Sequence, residues 1–370
     1  MIEISKYEVQ GGVSEYHVMI HVDNPRLTYA EQVNSVLSAY TQLLEGELKG
    51  AVTVFKRFFL SDAANQSDYL QTLLVEQEAC PLSIVEQSPL NGTKIALWAY
   101  LQKGVELKAL SHGMYEVKHG AYRHLWVAGA CHETSDAEAQ TRQLFDDYIT
   151  LLREQGCTLA ENCLRTWFFV QNVDVNYAGV VKARNEVFAT QNLTNQTHFI
   201  ASTGIAGRHA NHQVSVLMDA YAVQGIRQEQ IRYLYAPTHL NPTYEYGVSF
   251  ERGTAVDYGD RRQVFISGTA SINNKGEVVH PGDICKQTLR MWENVEVLLA
   301  EAECTFEHVS HLIVYLRDVA DYIVVKEMFD ERFPNIPKVY LLAPVCRPGW
   351  LIEMECMAVK TIHNERFPAY

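Results

Sequence analysis

The chain has 370 residues, 47% hydrophobic and 20% charged, and its 31 Lys plus Arg against 44 Asp plus Glu give a formal charge of −13. That length exceeds what one core organises and the composition excludes disorder, so two or three packed domains are expected. The acidic balance speaks against a nucleic-acid partner, and neither a long apolar run nor a signal-like opening in MIEISKYEVQ predicts a membrane span or secretion.

In chain order, EYHVMIHV (15–22) alternates as a strand, YAEQVNSVLSAYTQLLEGE (29–47) has the apolar period of a helix, and AVTVFKRFFL (51–60) is again a strand. SDYLQTLLVEQ (67–77) reads as a helix, and LSIVEQ (82–87) and TKIALWAYL (93–101) as strands. A turn-rich joint, QKGVELKALSHG (102–113), leads to a long helix at 137–158, the apolar run CLRTWFFVQNV (163–173) and a helix YAGVVKARNEVF (177–188). After a second joint at 224–245 come a helix at 283–305, the run HVSHLIVYLRDV (308–319) and the helix YIVVKEMFDERF (322–333).

The order repeats, and so do residues. At an offset of 147, Gln140, Thr141, Leu151, Leu152, Glu154, Cys157 and Thr158 fall on Gln287, Thr288, Leu298, Leu299, Glu301, Cys304 and Thr305 without a gap. At an offset of 108, Gln32, Leu43, Leu44, Arg57 and Tyr69 match Gln140, Leu151, Leu152, Arg165 and Tyr177. These matches predict an α+β protein of three tandem β-β-α-β-α-β-β units, at 1–105, 106–235 and 236–370. Each unit would bury one sheet face under its helices. Three open faces turned to a common pseudo-threefold centre would make the chain a monomeric pseudo-trimer, the alternative being a homo-oligomer.

Several residues can carry chemistry. In CRPGWLIEMEC, Glu353 and Glu355 alternate with apolar neighbours along a strand, so both project to one face. In a cleft between units such a carboxyl gains proton affinity and can act as a general acid; on a solvated face it does not. A substrate carboxylate calls for arginine forks, and Arg252, Arg347, Arg165 and Arg184 are the candidates, each with a surface ion pair as its plain alternative. Tyr246 can add a phenol hydrogen bond or be a buried strand residue. Cys346 reads as a nucleophile or as a small apolar wall. The eight cysteines form no C-x-x-C pair, as expected of reduced thiols in a cytoplasm. His17 with His21 and His308 with His311 lack an acidic or thiol partner at a ligand interval, so neither a metal nor any other cofactor is expected.

The segment 246–361 resembles the reactive intermediate deaminase (Rid, YjgF-like, L-PSP endoribonuclease-like) superfamily, whose units have a chorismate-mutase-like fold. Within it, SFERGTA, FISGTASI, HPGD with QT, and VCRPGWLIEME are most similar to the chorismatases. The unit from 115 to 225 resembles the N-terminal unit of those enzymes, and the first hundred residues resemble a more diverged Rid unit. The resemblance implies that Glu353 is the catalytic acid, that Glu355 is structural and that Arg252, in SFERGT, lines the substrate pocket. It also places Cys346 seven residues before Glu353, as in chorismatases that favour 3-hydroxybenzoate. At the position of the deaminase carboxylate-binding arginine stands Lys338, which keeps the charge and loses the fork. The function so implied is a hydrolase that protonates an enol-ether carboxylate. The alternatives are a 2-enamine/2-imine deaminase and a non-catalytic ligand-binding protein of the translation-inhibitor or L-PSP type. The partner in the enzymatic readings is a small anionic carboxylate, and the acidic charge and lack of an aromatic-basic strip argue against an RNA groove.

Overall fold

The computed structural model describes residues 1–75, 79–134 and 136–370. Its first group of elements is β1 (Ile2–Tyr7), β2 (Ser14–His21), α1 (Tyr29–Glu45), β3 (Val52–Leu60), α2 (Ala63–Leu74), β4 (Leu82–Glu86), the two-residue β5 (Ser88–Pro89) and β6 (Ile95–Lys103). The second is β7 (Glu106–Ala109), β8 (Met114–His119), β9 (Tyr122–Cys131), α3 (Ala137–Glu154), the single turn α4 (Leu159–Asn162), β10 (Cys163–Val170), α5 (Val173–Thr190), β11 (Ala201–Ala206) and β12 (Val216–Gln224). The third is β13 (Ile231–Leu234), β14 (Gly253–Asp257), β15 (Arg261–Ala270), α6 (Ile284–Glu301), β16 (Val309–Leu316), α7 (Tyr322–Arg332), β17 (Lys338–Leu342) and β18 (Ile352–Thr361).

Three sheets share one strand order: β1-β2-β6-β3-β4, β8-β9-β12-β10-β11 and β14-β15-β18-β16-β17. In each, the pair joined through the second helix is parallel, as a helical crossover requires, and the other ladders are antiparallel. Each joint contributes one further edge strand, β7 to the second sheet and β13 to the third, so the third sheet begins ahead of residue 236. The helix expected from Ser67 begins earlier, at Ala63, because the Asp62 side chain accepts from the backbone of Asn65 and caps it. Of its expected C-terminal end, Glu76 and Gln77 lie outside the described residues.

The repeated glutamine explains itself. Gln32, Gln140 and Gln287 are buried at the starts of α1, α3 and α6. Each carbonyl oxygen accepts from the backbone just before or at the last strand of its sheet, at Lys94, Ser215 and Leu351, over 2.7 to 2.9 Å. Each amide nitrogen donates to a loop carbonyl, at Leu27, Thr134 and His280. One side chain thus fastens the first helix to two loops in every unit, and the polar groups it satisfies would otherwise be buried unpaired.

Period-2 alternation divides every sheet. Val18, Ile20, Phe58, Leu97 and Ala99 pack with Val33, Val36 and Tyr40 of α1, whereas Met19, Phe55, Phe59, Trp98 and Tyr100 turn to a core shared by all three sheets. The sheet edges are tied in a ring: Glu86 bridges to Arg208, Ile205 to Val345, and β17 to β5 through Leu341 and Pro89. Strand edges that would be open in a lone unit are therefore occupied.

The shared centre is not purely apolar. Arg57 of β3 donates to Asp219 of β12 over 2.7 and 3.2 Å, with no exposure of either side chain. Its guanidinium lies 5.2 Å from the Trp98 and Trp167 rings and 4.8 Å from Phe169, so its charge is held by Asp219, by a longer 3.9 Å approach to Glu355 and by aromatic faces. Nearby, His17 stacks on His311 at 4.7 Å, and His124 lies under Tyr370 at 4.5 Å. Burial pushes His17 and His124 down to about 3 and His311 well below its ordinary value. The unfolded chain takes up protons on these rings below about pH 6.5, whereas the fold keeps them neutral. Stability is therefore expected to fall as pH drops from 6.5, by about 1.4 kcal/mol per pH unit for each histidine. Urea midpoints measured from pH 7 to 5 should show it, and His311→Phe should flatten the slope.

Candidate active site

β18 places Glu353 opposite Ala270 of β15 and Tyr315 of β16, and Glu355 opposite Ile313. Both carboxyls face the inter-unit side, as the alternation requires, yet they meet different surroundings. Glu355 accepts from Arg165 Nη2 at 2.7 Å, from Trp167 Nε1 at 2.9 Å and from the Thr203 hydroxyl. Glu353 faces a cavity of about 310 Å³ between the second and third sheets. Burial, and then the negative charge of Glu355, push the Glu353 carboxyl up to about 8 against the opposing pull of Arg252 and Arg165. It is a buried acid that keeps its proton at neutral pH.

Two glycines make the room. A Cβ on Gly268, at the irregularity in β15, would overlap the Glu353 carboxyl, and one on Gly204 of β11 would fall 2.6 Å from the Tyr177 ring. The remaining wall is a run of alternating cations and rings. Arg184 of α5 lies 5.9 Å from Phe250, Arg252 lies 5.3 Å from Phe250 and 5.5 Å from Tyr246, and Arg347 lies 4.5 Å from Tyr246 and 4.9 Å from Trp350. Arg252 also donates to Asn241, which aims it. Arg184 Nε and Nη2 and Arg252 Nε are buried without a hydrogen-bond partner, and among the described residues none of the three arginines is in an ion pair. Buried cations without counter-ions are costly unless an anion completes them, and an anion in this cavity would offset that cost.

Of the residues singled out in the sequence, Glu353, Cys346, Arg252, Arg347, Tyr246 and Arg184 come together here. Arg165 does not: its guanidinium is spent on Glu355, on Thr203 at 2.6 Å and on the Thr166 carbonyl, in the interior beside the Trp167 ring. Lys338 does not either. It lies on β17 at the other edge of the third sheet, lining a cleft against the first sheet, and donates to the Phe333 and Ile336 carbonyls at 3.0 and 3.1 Å. The strand registers explain this. Lys338 pairs with Leu312, and Arg165, 147 positions earlier, pairs with Ala201. The repeat partner of Lys338 on the Glu353 side is therefore Ala201, which has no charge. Cys346 is pushed up to about 12, by burial and then by Glu353, and remains a thiol at neutral pH, which fits a wall and not a nucleophile. Tyr177, Phe250 and Trp350 were not singled out for chemistry; Tyr177 recurs as Tyr69 one unit earlier, the one sequence signal that could have drawn attention to it.

Fold and site together define a protein of three linked α+β units with an arginine-lined cavity and a buried acid at one inter-unit cleft. The family model "Endoribonuclease L-PSP" matches residues 253–360. A 3-aminoacrylate deaminase RutC from Acinetobacter baylyi is 31% identical over 97 residues, 26% of this chain and 77% of its own length. The chain belongs to this RutC and L-PSP family, the Rid superfamily. A 3-hydroxybenzoate synthase from Streptomyces hygroscopicus is 27% identical over 256 residues, covering 63% of this chain and 73% of that one. The fold is shared over 95% of this chain with the crystal structure of a chorismatase, at 18% identity and a TM-score of 0.68, covering 100% of that chain.

Proposed function

We propose that the chain is a chorismatase-like hydrolase acting on an enol-ether carboxylate. The observation that carries the reading is a buried carboxyl, pushed up to about 8 by burial and by Glu355, facing a cavity whose three arginines are in no ion pair among the described residues. Arginines hold the carboxylate of the enolpyruvyl group, and protonated Glu353 delivers its proton to the terminal methylene carbon. The double bond becomes an oxocarbenium ion and Glu353 becomes a carboxylate, now beside Arg252, whose pull stabilises the new charge. Water adds to the cationic carbon and returns a proton to Glu353. The hemiketal then collapses to pyruvate and the freed alcohol, so that one water is consumed per turnover.

The 27% identical 3-hydroxybenzoate synthase supports this substrate class. The same proton transfer applied to an enamine would give a deaminase, and the 31% identical RutC supports that second reading. Ala201 at the repeat position of Lys338 speaks against it, since no cation stands there in this cleft. Purified protein incubated with chorismate should release pyruvate, read by coupling to lactate dehydrogenase. Ammonia from dehydroalanine-type enamines without pyruvate from chorismate would favour the deaminase, and ligand returned unchanged in both assays would leave a binding protein.

A further inference from the structure

Glu353 and Glu355 leave the same strand on the same face, and a short chain of contacts runs from one to the other. Glu355 is gripped by Arg165 and Trp167 and by the hydroxyl of Thr203, which donates to it. That same hydroxyl oxygen accepts from Arg165 at 2.6 Å and from the backbone N–H of Gly268 at 2.9 Å. Gly268 is the residue whose missing side chain leaves space for the Glu353 carboxyl. Thr203 on β11 therefore fixes the irregular stretch of β15 that borders the acid, and Glu355 fixes Thr203.

We propose that Glu355, acting through Thr203 and Gly268 and by its own charge, is the positioning residue that sets where the Glu353 carboxyl lies and how firmly it keeps its proton. The inference rests on Glu353 as the acid proposed above. The other groups facing Glu353 are Arg184 and Tyr177 from α5, Arg252 and Tyr246 from the segment before β14, Cys346 and Arg347 from the loop before β18, and Tyr315 from β16. The arginines favour ionised Glu353. Of the remaining groups, Glu355 is the carboxylate that opposes them. Arg165 enters on both sides: it draws Glu353 toward ionisation directly, and by holding Glu355 it keeps the opposing charge in place. Two carboxyls with contrasting surroundings, one gripped by donors and one left to a cavity, are the arrangement by which proteins separate an acid from a fixed charge.

The test follows the Glu353 carboxyl directly, by NMR of the full chain with ¹³C-labelled glutamate carboxyls, its resonance assigned by its disappearance in Glu353→Gln. In Glu355→Gln the Glu353 midpoint should fall by about one pH unit or more, a tenfold loss of proton affinity. Thr203→Val should also displace the midpoint, whereas Thr203→Ser, which keeps the hydroxyl, should retain it. If Glu355→Gln does not fold, the threonine pair gives the answer. A midpoint unchanged in Glu355→Gln, or identical in Thr203→Val and Thr203→Ser, would overturn the proposal. The wild-type midpoint tests the separate reading of Glu353 as a neutral acid, while the difference between proteins tests the coupling whatever that midpoint is.

Discussion

Glu353→Gln should lower pyruvate release from chorismate by about 10²–10⁴-fold, the range that a positioned general acid contributes, with the far-UV spectrum unchanged. Gln fills the same space and can still donate a hydrogen bond, so what it removes is the transferable proton. In the wild type, kcat/KM should be level below about pH 8 and fall tenfold per pH unit above it, because only the protonated carboxyl can donate. Residual turnover of the variant should lack that limb. The substitution should act on stability in the opposite sense to its effect on activity. The unfolded chain ionises this carboxyl near its ordinary value, so the stability tied to the neutral form is full below about pH 4. It is lost progressively as pH rises to the folded value of about 8. Glu353→Gln does not undergo that loss and should resist urea better than the wild type at pH 8. A variant as active as the wild type would remove Glu353 from the mechanism.

Asp219→Ala is the substitution expected to harm the fold most. It leaves the Arg57 guanidinium, which has no exposure, with only a 3.9 Å approach to Glu355 and four aromatic rings. It also removes the acceptor of the Gly129 backbone N–H, bound at 2.7 Å. Breaking a buried pair by deleting one partner typically costs about 3–5 kcal/mol, most of it from the charge left behind. Equilibrium urea unfolding should show a loss of that size. Deleting the charges together, as Arg57→Met with Asp219→Leu, should cost less than the single change, because no buried ion is left unpaired. If single and double variants prove equally destabilised, the pair acts by its shape and not by its charge.

The repeat was legible because its landmark residues serve local purposes. Gln32, Gln140 and Gln287 each tie a helix start to two loops of its own unit, so the same side chain recurs at the same place. Period-2 alternation likewise told which strand residues face the helices. What could not be read was which cleft an outward side chain enters. Arg165 and Arg184 differ by nineteen positions and both end buried, one against Glu355 and one in the cavity wall. The strand and helix patterns around them do not separate those fates, since the partner surface comes from another unit. Lys338 misled for the same reason. It belongs to the same sheet as Glu353, yet the two strands lie on either side of β16 and present their side chains to different neighbours. Phe250 and Trp350 were part of quoted motifs, but the place of Phe250 between two guanidiniums and of Trp350 beside Arg347 at the end of the run arises only when three separate segments meet.

The buried charges at the centre have an arithmetic of their own. Three identical chains about an exact threefold axis would have to contribute ionised groups in threes, and any imbalance near the axis would be tripled. Here one connected cluster sets two arginines, Arg57 and Arg165, against two carboxylates, Asp219 and Glu355, drawn unequally from the three units. A two-against-two set is neutral, and strict symmetry forbids it. Joining the units in one chain thus permits a stoichiometry of internal charge that subunit assembly from a single sequence does not.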